Sequence, residues 1–287
     1  HHIQHPLELG FMIKRMRDRL KVTDRLGHPS HHLAQTIHLA NTRAHTDRRI
    51  EIQTGQLVNL VAQQLQGLAE ALTQTANAAG CRTSALITDM NQPLAPSLGN
   101  ALEVSEVMAV LTAGDADAPL SQISAALGGV LLAGAGLAAD ADAGAAQIVQ
   151  AIRSGHAAER FGKMIAAMGG PVHFVENHAR FLPEATVIRE VAAAKSGTLR
   201  AIDGEALGRV VVALGGGRAV ESDVVDPAVG LSGVLRLGDK VTKGQPLAVI
   251  HAARPDQADR AEAAVRAAFT LGAQAVKTPA LIHARVS

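Results

Sequence analysis

The chain has 287 residues, 47% of them hydrophobic and 18% charged, which is enough apolar material for a buried core and excludes a disordered tail or a fibre. Its richest apolar stretch, 123–139, is broken by Gly128, Gly129, Gly134 and Gly136, so no membrane span is expected, and a single cysteine, Cys81, with no signal-type leader, points to a reducing cytoplasm. Five Phe with neither Trp nor Tyr leave little from which to build base-stacking platforms, which argues against a nucleic-acid reader.

The formal net charge of +1 is unevenly shared. Residues 1–50 hold nine Lys and Arg against four Asp and Glu, together with eight of the thirteen His; the remainder of the chain is net acidic. Apolar residues in this opening segment stand singly apart from a short helical-looking stretch at 7–20, so residues 1–67 are expected to be a poorly ordered leader. His31, His32, His38 and His45 cluster there but lack the spacing and acidic partner of an H-E-x-x-H site. The basic run Lys14–Lys21 reads as a solvated face or a contact for an anionic partner.

From Leu57 the pattern changes. Leu57, Leu60, Val61, Leu65, Leu68, Leu72 and Ala76 recur at three- and four-residue steps, predicting an amphipathic helix closed by Gly80. A short strand is expected over Thr83–Thr88, ended by the polar loop Asp89-Met90-Asn91-Gln92-Pro93. Ligands gather at the carboxyl ends of strands in open α/β sheets, so this loop is either a candidate site or a structural turn. Asn100, with Glu103 three residues on, predicts a capped helix over 101–112. Glu106, one turn later on the face of Glu103, has no capping duty and is free to ligate, to pair, or simply to be a surface charge.

Further along, Gly169-Gly170-Pro171 has the grammar of a helix stop. Strands are expected over 186–194 and 198–202, with Lys195-Ser196-Gly197 as the turn between them. A helix capped by Asp203 and packed through Leu207, Val210, Val211 and Leu214 closes at Gly215-Gly216-Gly217-Arg218. That triplet is the one glycine cluster with a cation beside it, yet at a helix C-terminus the dipole repels anions, so it reads as a turn rather than a phosphate cradle. Short strands separated by Gly230, Gly233, Gly238 and Gly244 follow, then a helix over 256–272 and a last strand near 280–286. His173, His178 and His251 lack carboxylates at suggestive spacing and read as packed or surface histidines.

Four blocks carry a resemblance. Ala76–Leu111 (ANAAGCRTSALITDMNQPLAPSLGNALEVSEVMAVL), Phe161–Pro183 (FGKMIAAMGGPVHFVENHARFLP), Ala206–Arg218 (ALGRVVVALGGGR) and Leu237–Ala252 (LGDKVTKGQPLAVIHA) resemble, in order, the thymidine phosphorylase and pyrimidine-nucleoside phosphorylase family. The resemblance extends from about Leu68 to the end of the chain. It implies an α/β fold: the C-terminal part of the phosphorylase large domain, with a helix-flanked mixed sheet, over 68–184, and a small glycine-rich α+β module over 185–287.

The activity implied is reversible phosphorolysis of a pyrimidine nucleoside to free base and a pentose 1-phosphate, by a homodimer with inorganic phosphate and nucleoside as partners. The family's phosphate loop, of K-H-S-T-G-G type, and its Arg, Ser and Lys base clamp lie N-terminal to the matched blocks and do not occur in this sequence. A chain carrying only the later blocks behind an unrelated segment, whether a shifted reading frame, a rearrangement or a genuine leader, is expected to be inactive alone. The resemblance also implies half of a potassium site, with carbonyls at Leu94 and Ser97 and the carboxylate of Glu106 as ligands and the remaining ligands in the absent loop. No cofactor is required, and potassium is the one ion the resemblance implies. The phrase GDKVTKGQPLAVI also resembles biotinyl and lipoyl carrier domains, whose modified lysine stands at an exposed hairpin tip. Lys195, Lys240 and Lys243 are the candidates, and none has a Met neighbour. A noncatalytic binding fragment is the third reading.

Overall fold

The computed structural model describes residues 54–286, with side chains from Leu65. Residues 1–53 of the expected leader, with its histidine cluster and basic run, lie outside the described residues, whereas residues 54–67 belong to a helix. The chain divides into two units, His1–Gln63 and Gln64–Ser287, and apart from the start of the first helix the described residues belong to the second.

Helix α1 (Thr54–Ala78) ends as its sequence predicts, with Gly80 at φ +83, a conformation that glycine adopts without steric cost. Its periodic face is not fully covered: Leu65 and Leu72 are 45% and 51% exposed. Strand β1 (Ala85–Thr88) pairs antiparallel with the last strand, β8 (Ile282–Val286), in a two-stranded sheet.

A helical layer follows: α2 (Asn100–Ala113), α3 (Pro119–Gly134), α4 (Ala141–Arg153), α5 (His156–Ala167) and α6 (Phe174–Phe181). The helices α3 and α4 touch backbone to backbone. A Cβ at Gly129 would lie 2.3 Å from the Ala141 carbonyl oxygen, and one at Gly144 would lie 2.6 Å from that of Gly129. Of the glycines in the 123–139 stretch, Gly128 and Gly129 therefore serve helix packing, whereas Gly134 and Gly136 face open space. Phe161, Phe174 and Phe181 join α5 to α6, each neighbouring pair with ring centroids 6.2 Å apart.

The main core lies in the last third of the chain. Strands β2 (Val187–Ala192), β6 (Pro246–Ala252) and β4 (Gly230–Ser232) form one sheet in the order β2-β6-β4. Strands β5 (Lys240–Val241), β3 (Gly197–Ile202) and β7 (Phe269–Gly272) form another in the order β5-β3-β7. Helices α7 (Gly204–Leu214) and α8 (Pro255–Ala267) cover them. Leu199, Leu207, Leu231, Leu247, Ile250 and Val265 are fully buried between these layers, each contributing about 1.5–3 kcal/mol of transfer free energy.

Helices and strands are mixed, which is compatible with an α/β reading, but five helices follow β1 in succession and the described pairings are all antiparallel, where a mixed sheet was expected. Short β1 finds its partner in the chain's final strand, so no parallel crossover forms there. The turn at 195–197 likewise carries the chain from one sheet to the other, and β2 and β3 do not pair with each other. The helix expected over 256–272 ends at Ala267, because Phe269–Gly272 pairs with β3. No helix among the described residues is long and apolar enough to cross a membrane.

Candidate functional site

The loop between β1 and α2 is stitched to the segment around β4. Leu98 and Leu231 exchange both backbone hydrogen bonds, at 2.8 and 2.7 Å, so the loop adds one bridge to the free edge of β4. Val234 N–H donates to the Pro96 carbonyl at 2.9 Å, and Ala101 N–H to that of Pro227 at 3.0 Å. The approach needs glycine on both sides. A Cβ on Gly99 would stand 2.5 Å from the Val229 carbonyl oxygen, and one on Gly230 would stand 2.1 Å from that of Leu98. Side chains complete the clamp: the Gln92 amide oxygen accepts from Leu237 N–H at 3.1 Å, and Arg236 Nη1 donates to the carbonyls of Leu94 at 3.3 Å and Pro93 at 3.5 Å.

Within this frame, Ser97 is buried and its hydroxyl donates to Glu106 Oε1 at 2.9 Å. Glu103 Oε1 accepts from Gly99 N–H at 3.1 Å. Two carboxylates from the first turns of α2 thus reach back to the loop. The N-cap is Gly99, with no side-chain cap, one residue earlier than the Asn100 that the sequence suggests. Gly99 sits at φ +132 to meet Val229, and Glu103 supplies only the returning half of a capping box.

Of the three residues implied for potassium, Ser97 and Glu106 are brought into contact, while the Leu94 carbonyl faces Arg236. Carbonyls plus one carboxylate are hard oxygen donors of the kind a group 1 cation accepts, so the donor chemistry fits. No group of three or more His, Cys, Asp or Glu able to hold a metal ion occurs among the described residues.

The other motifs resolve differently. At the Gly215–Gly217 turn, the N–H of Gly215 is spent on Val212 O and that of Gly216 on Val211 O, closing α7. Arg218 Nε donates to Asp223 O, and the Asp223 carboxylate takes the N–H groups of Ala219 and Val220. These donors face inward onto protein acceptors, as in a helix stop. Asp203 caps α7 through Ala206 N–H at 2.9 Å, as its sequence predicts.

Lys195, Lys240 and Lys243 are exposed, and Lys243 N–H donates to Ser196 Oγ at 2.9 Å, so the turns bearing these lysines meet. His178 Nδ1 lies 3.2 Å from Val175 O, within its own helix. His251 Nε2 lies 2.8 Å from Ser232 Oγ across β6 and β4, and burial holds its imidazole below the ordinary value. Sequence reasoning missed this pair, because only the strand register brings the two together. It missed Arg236 for the same reason, with 142 positions separating that residue from Leu94.

The segment that holds the loop from the C-terminal side is also where a known family is matched. Residues 198–272, running from β3 through α7, β4, β5, β6 and α8 to β7, match the family model of the pyrimidine nucleoside phosphorylase C-terminal domain. The resemblance read from the sequence is therefore supported over residues 198–272, which are similar to the C-terminal domain of the pyrimidine nucleoside phosphorylases.

Proposed function

We propose that the chain belongs to cytoplasmic pyrimidine-nucleoside phosphorolysis, with thymidine the favoured substrate, as a polypeptide that supplies the rear of the enzyme without its phosphate grip. The reaction is reversible pentosyl transfer: a phosphate oxygen bonds to C1′ while the bond from C1′ to the base nitrogen breaks, and the base leaves with the electron pair. Two demands follow. A phosphate dianion has to be held against the sugar by backbone N–H groups and cationic or hydroxyl donors, and the departing base has to meet a cation or a proton.

This chain's residues contribute positioning. The clamp of β4 and Arg236 fixes the loop that carries Leu94 and Ser97, and α2 directs Glu106 to the same place. In a complete enzyme a potassium ion held by the Leu94 and Ser97 carbonyls and Glu106 would add fixed positive charge near the phosphate loop. The observation that carries the reading is that the family domain itself grips the loop, through the double hydrogen bond of Leu98 with Leu231.

The test is thymidine plus phosphate with the purified chain, monitoring free thymine. No phosphate-dependent thymine release is expected from this polypeptide alone. Release with saturation in both substrates would show that the missing cradle is dispensable and would overturn the reading.

A further inference from the structure

The short strand β7 has one edge without a partner. It pairs with β3 alone, and no other backbone hydrogen bond joins residues 269–272 to another segment among the described residues. The chain leaving β7 does not double back along it: Thr278 reaches Leu237, its hydroxyl donating to that carbonyl at 3.5 Å. Beside the strand lies a cleft of about 250 Å³, walled by Leu247, Phe269 and Leu271 and rimmed by Lys195 and Arg266. Arg266 Nε donates to the Ala192 carbonyl at 3.1 Å and Nη2 to Glu262 Oε1 at 2.5 Å, which fixes the guanidinium, while its Nη1 has no hydrogen-bond partner among the described residues. Lys195 and Arg200 are exposed and make no ion pair within 4 Å among them. Arg200 lies over the end of β7, where a Cβ on Gly272 would collide with its side chain. An open strand edge, an apolar cleft and three cations thus come together in a stretch, 51–287, that is net acidic.

We propose that the free edge of β7 is a docking site for an extended acidic segment of another protein, which adds to β7 as a strand, sets an apolar side chain in the cleft and meets Lys195, Arg200 and Arg266 with its carboxylates. Strand addition draws affinity from main-chain hydrogen bonds and specificity from alternate side chains, and this edge offers both. Successive side chains of a strand point to opposite faces, so a segment alternating acidic and apolar residues suits the site. The cations repel a basic segment. A nucleic acid has no main-chain N–H groups with which to continue the ladder. The inference makes no use of the phosphorylase reading and stands or falls apart from it.

The experiment titrates the full chain into a fluorescein-labelled seven-residue peptide of alternating Glu and Val, read by anisotropy at low salt, with amide exchange mapped in the bound and free chain. Saturable binding is expected, with slowed exchange at residues 269–272. The same peptide methylated on its backbone nitrogens should lose binding, because it cannot donate to the edge. Lys195→Glu, a substitution at an exposed side chain, should weaken binding about tenfold through charge reversal at the rim. No binding, equal binding of the methylated peptide, or unchanged exchange at residues 269–272 would overturn the proposal. So would unchanged affinity in Lys195→Glu, or equal binding of a Lys and Val peptide or of a uridine oligonucleotide. The methylated peptide and the exchange map use the wild-type chain, so they decide the matter even if Lys195→Glu fails to fold.

Discussion

At Gly230 the backbone takes φ +156, and any side chain would enter the space of the Leu98 carbonyl. Gly230→Ala therefore forces the loop off β4. The expected cost is about 1–3 kcal/mol, the range for overpacking a tight contact, seen as a lowered melting midpoint. Amide exchange at residues 94–99 should accelerate more than exchange in α8, because the loop loses the bonds that seat it. Unchanged exchange in that loop would show that Gly230 does not position it.

His251 acts at the same scale. Its imidazole, hydrogen-bonded with Ser232, is held below the ordinary value by burial, so the folded chain binds fewer protons than the unfolded one just below pH 6.5. Stability from this group is complete above about pH 6.5 and falls as the pH drops toward the depressed folded value. Melting measured between neutral and mildly acid pH should show a smaller acid loss in His251→Asn than in the wild type. Parallel curves for the two proteins would contradict this.

Among the elements, α3 and α4 depend on small residues. Gly129 and Gly144 let the two backbones touch, and Gly129→Val has no space, since the added atoms would meet the Ala141 carbonyl and the Ala145 backbone nitrogen. It should destabilise the chain by about 2–4 kcal/mol in urea unfolding, well beyond a surface substitution, as expected for overpacking at a backbone contact. The carrier alternative belongs to this scale too, because it requires one exposed hairpin lysine to be modified. Intact mass equal to that of the unmodified 29.7 kDa chain is expected, and an added biotinyl or lipoyl mass on Lys195, Lys240 or Lys243 would revive it.

Legibility also divides by element. Helix α7 could be read whole, because its cap at Asp203, its buried face and its glycine stop are local features. Strand β7 could not, because Phe269 and Leu271 continue the apolar period of α8 and only pairing with β3 decides their state. Glu106 could be singled out on its helix face, whereas its hydroxyl partner Ser97, nine residues earlier, came from family resemblance alone. Arg236 offered no local signal, since its importance comes from a contact with a loop far away in the chain.

At the scale of the molecule, the segment that matches the family model holds the loop between β1 and α2 in place. The glycine-rich turn has the N–H groups of Gly215 and Gly216 committed to its own helix, and the proposed function assigns it no phosphate. The most direct test is a crystal of the chain soaked in sulfate and thymine. The account predicts no sulfate and thymine held together by side chains of this polypeptide. Both ligands well ordered, with the sulfate gripped by several donors of this chain beside the base, would contradict it.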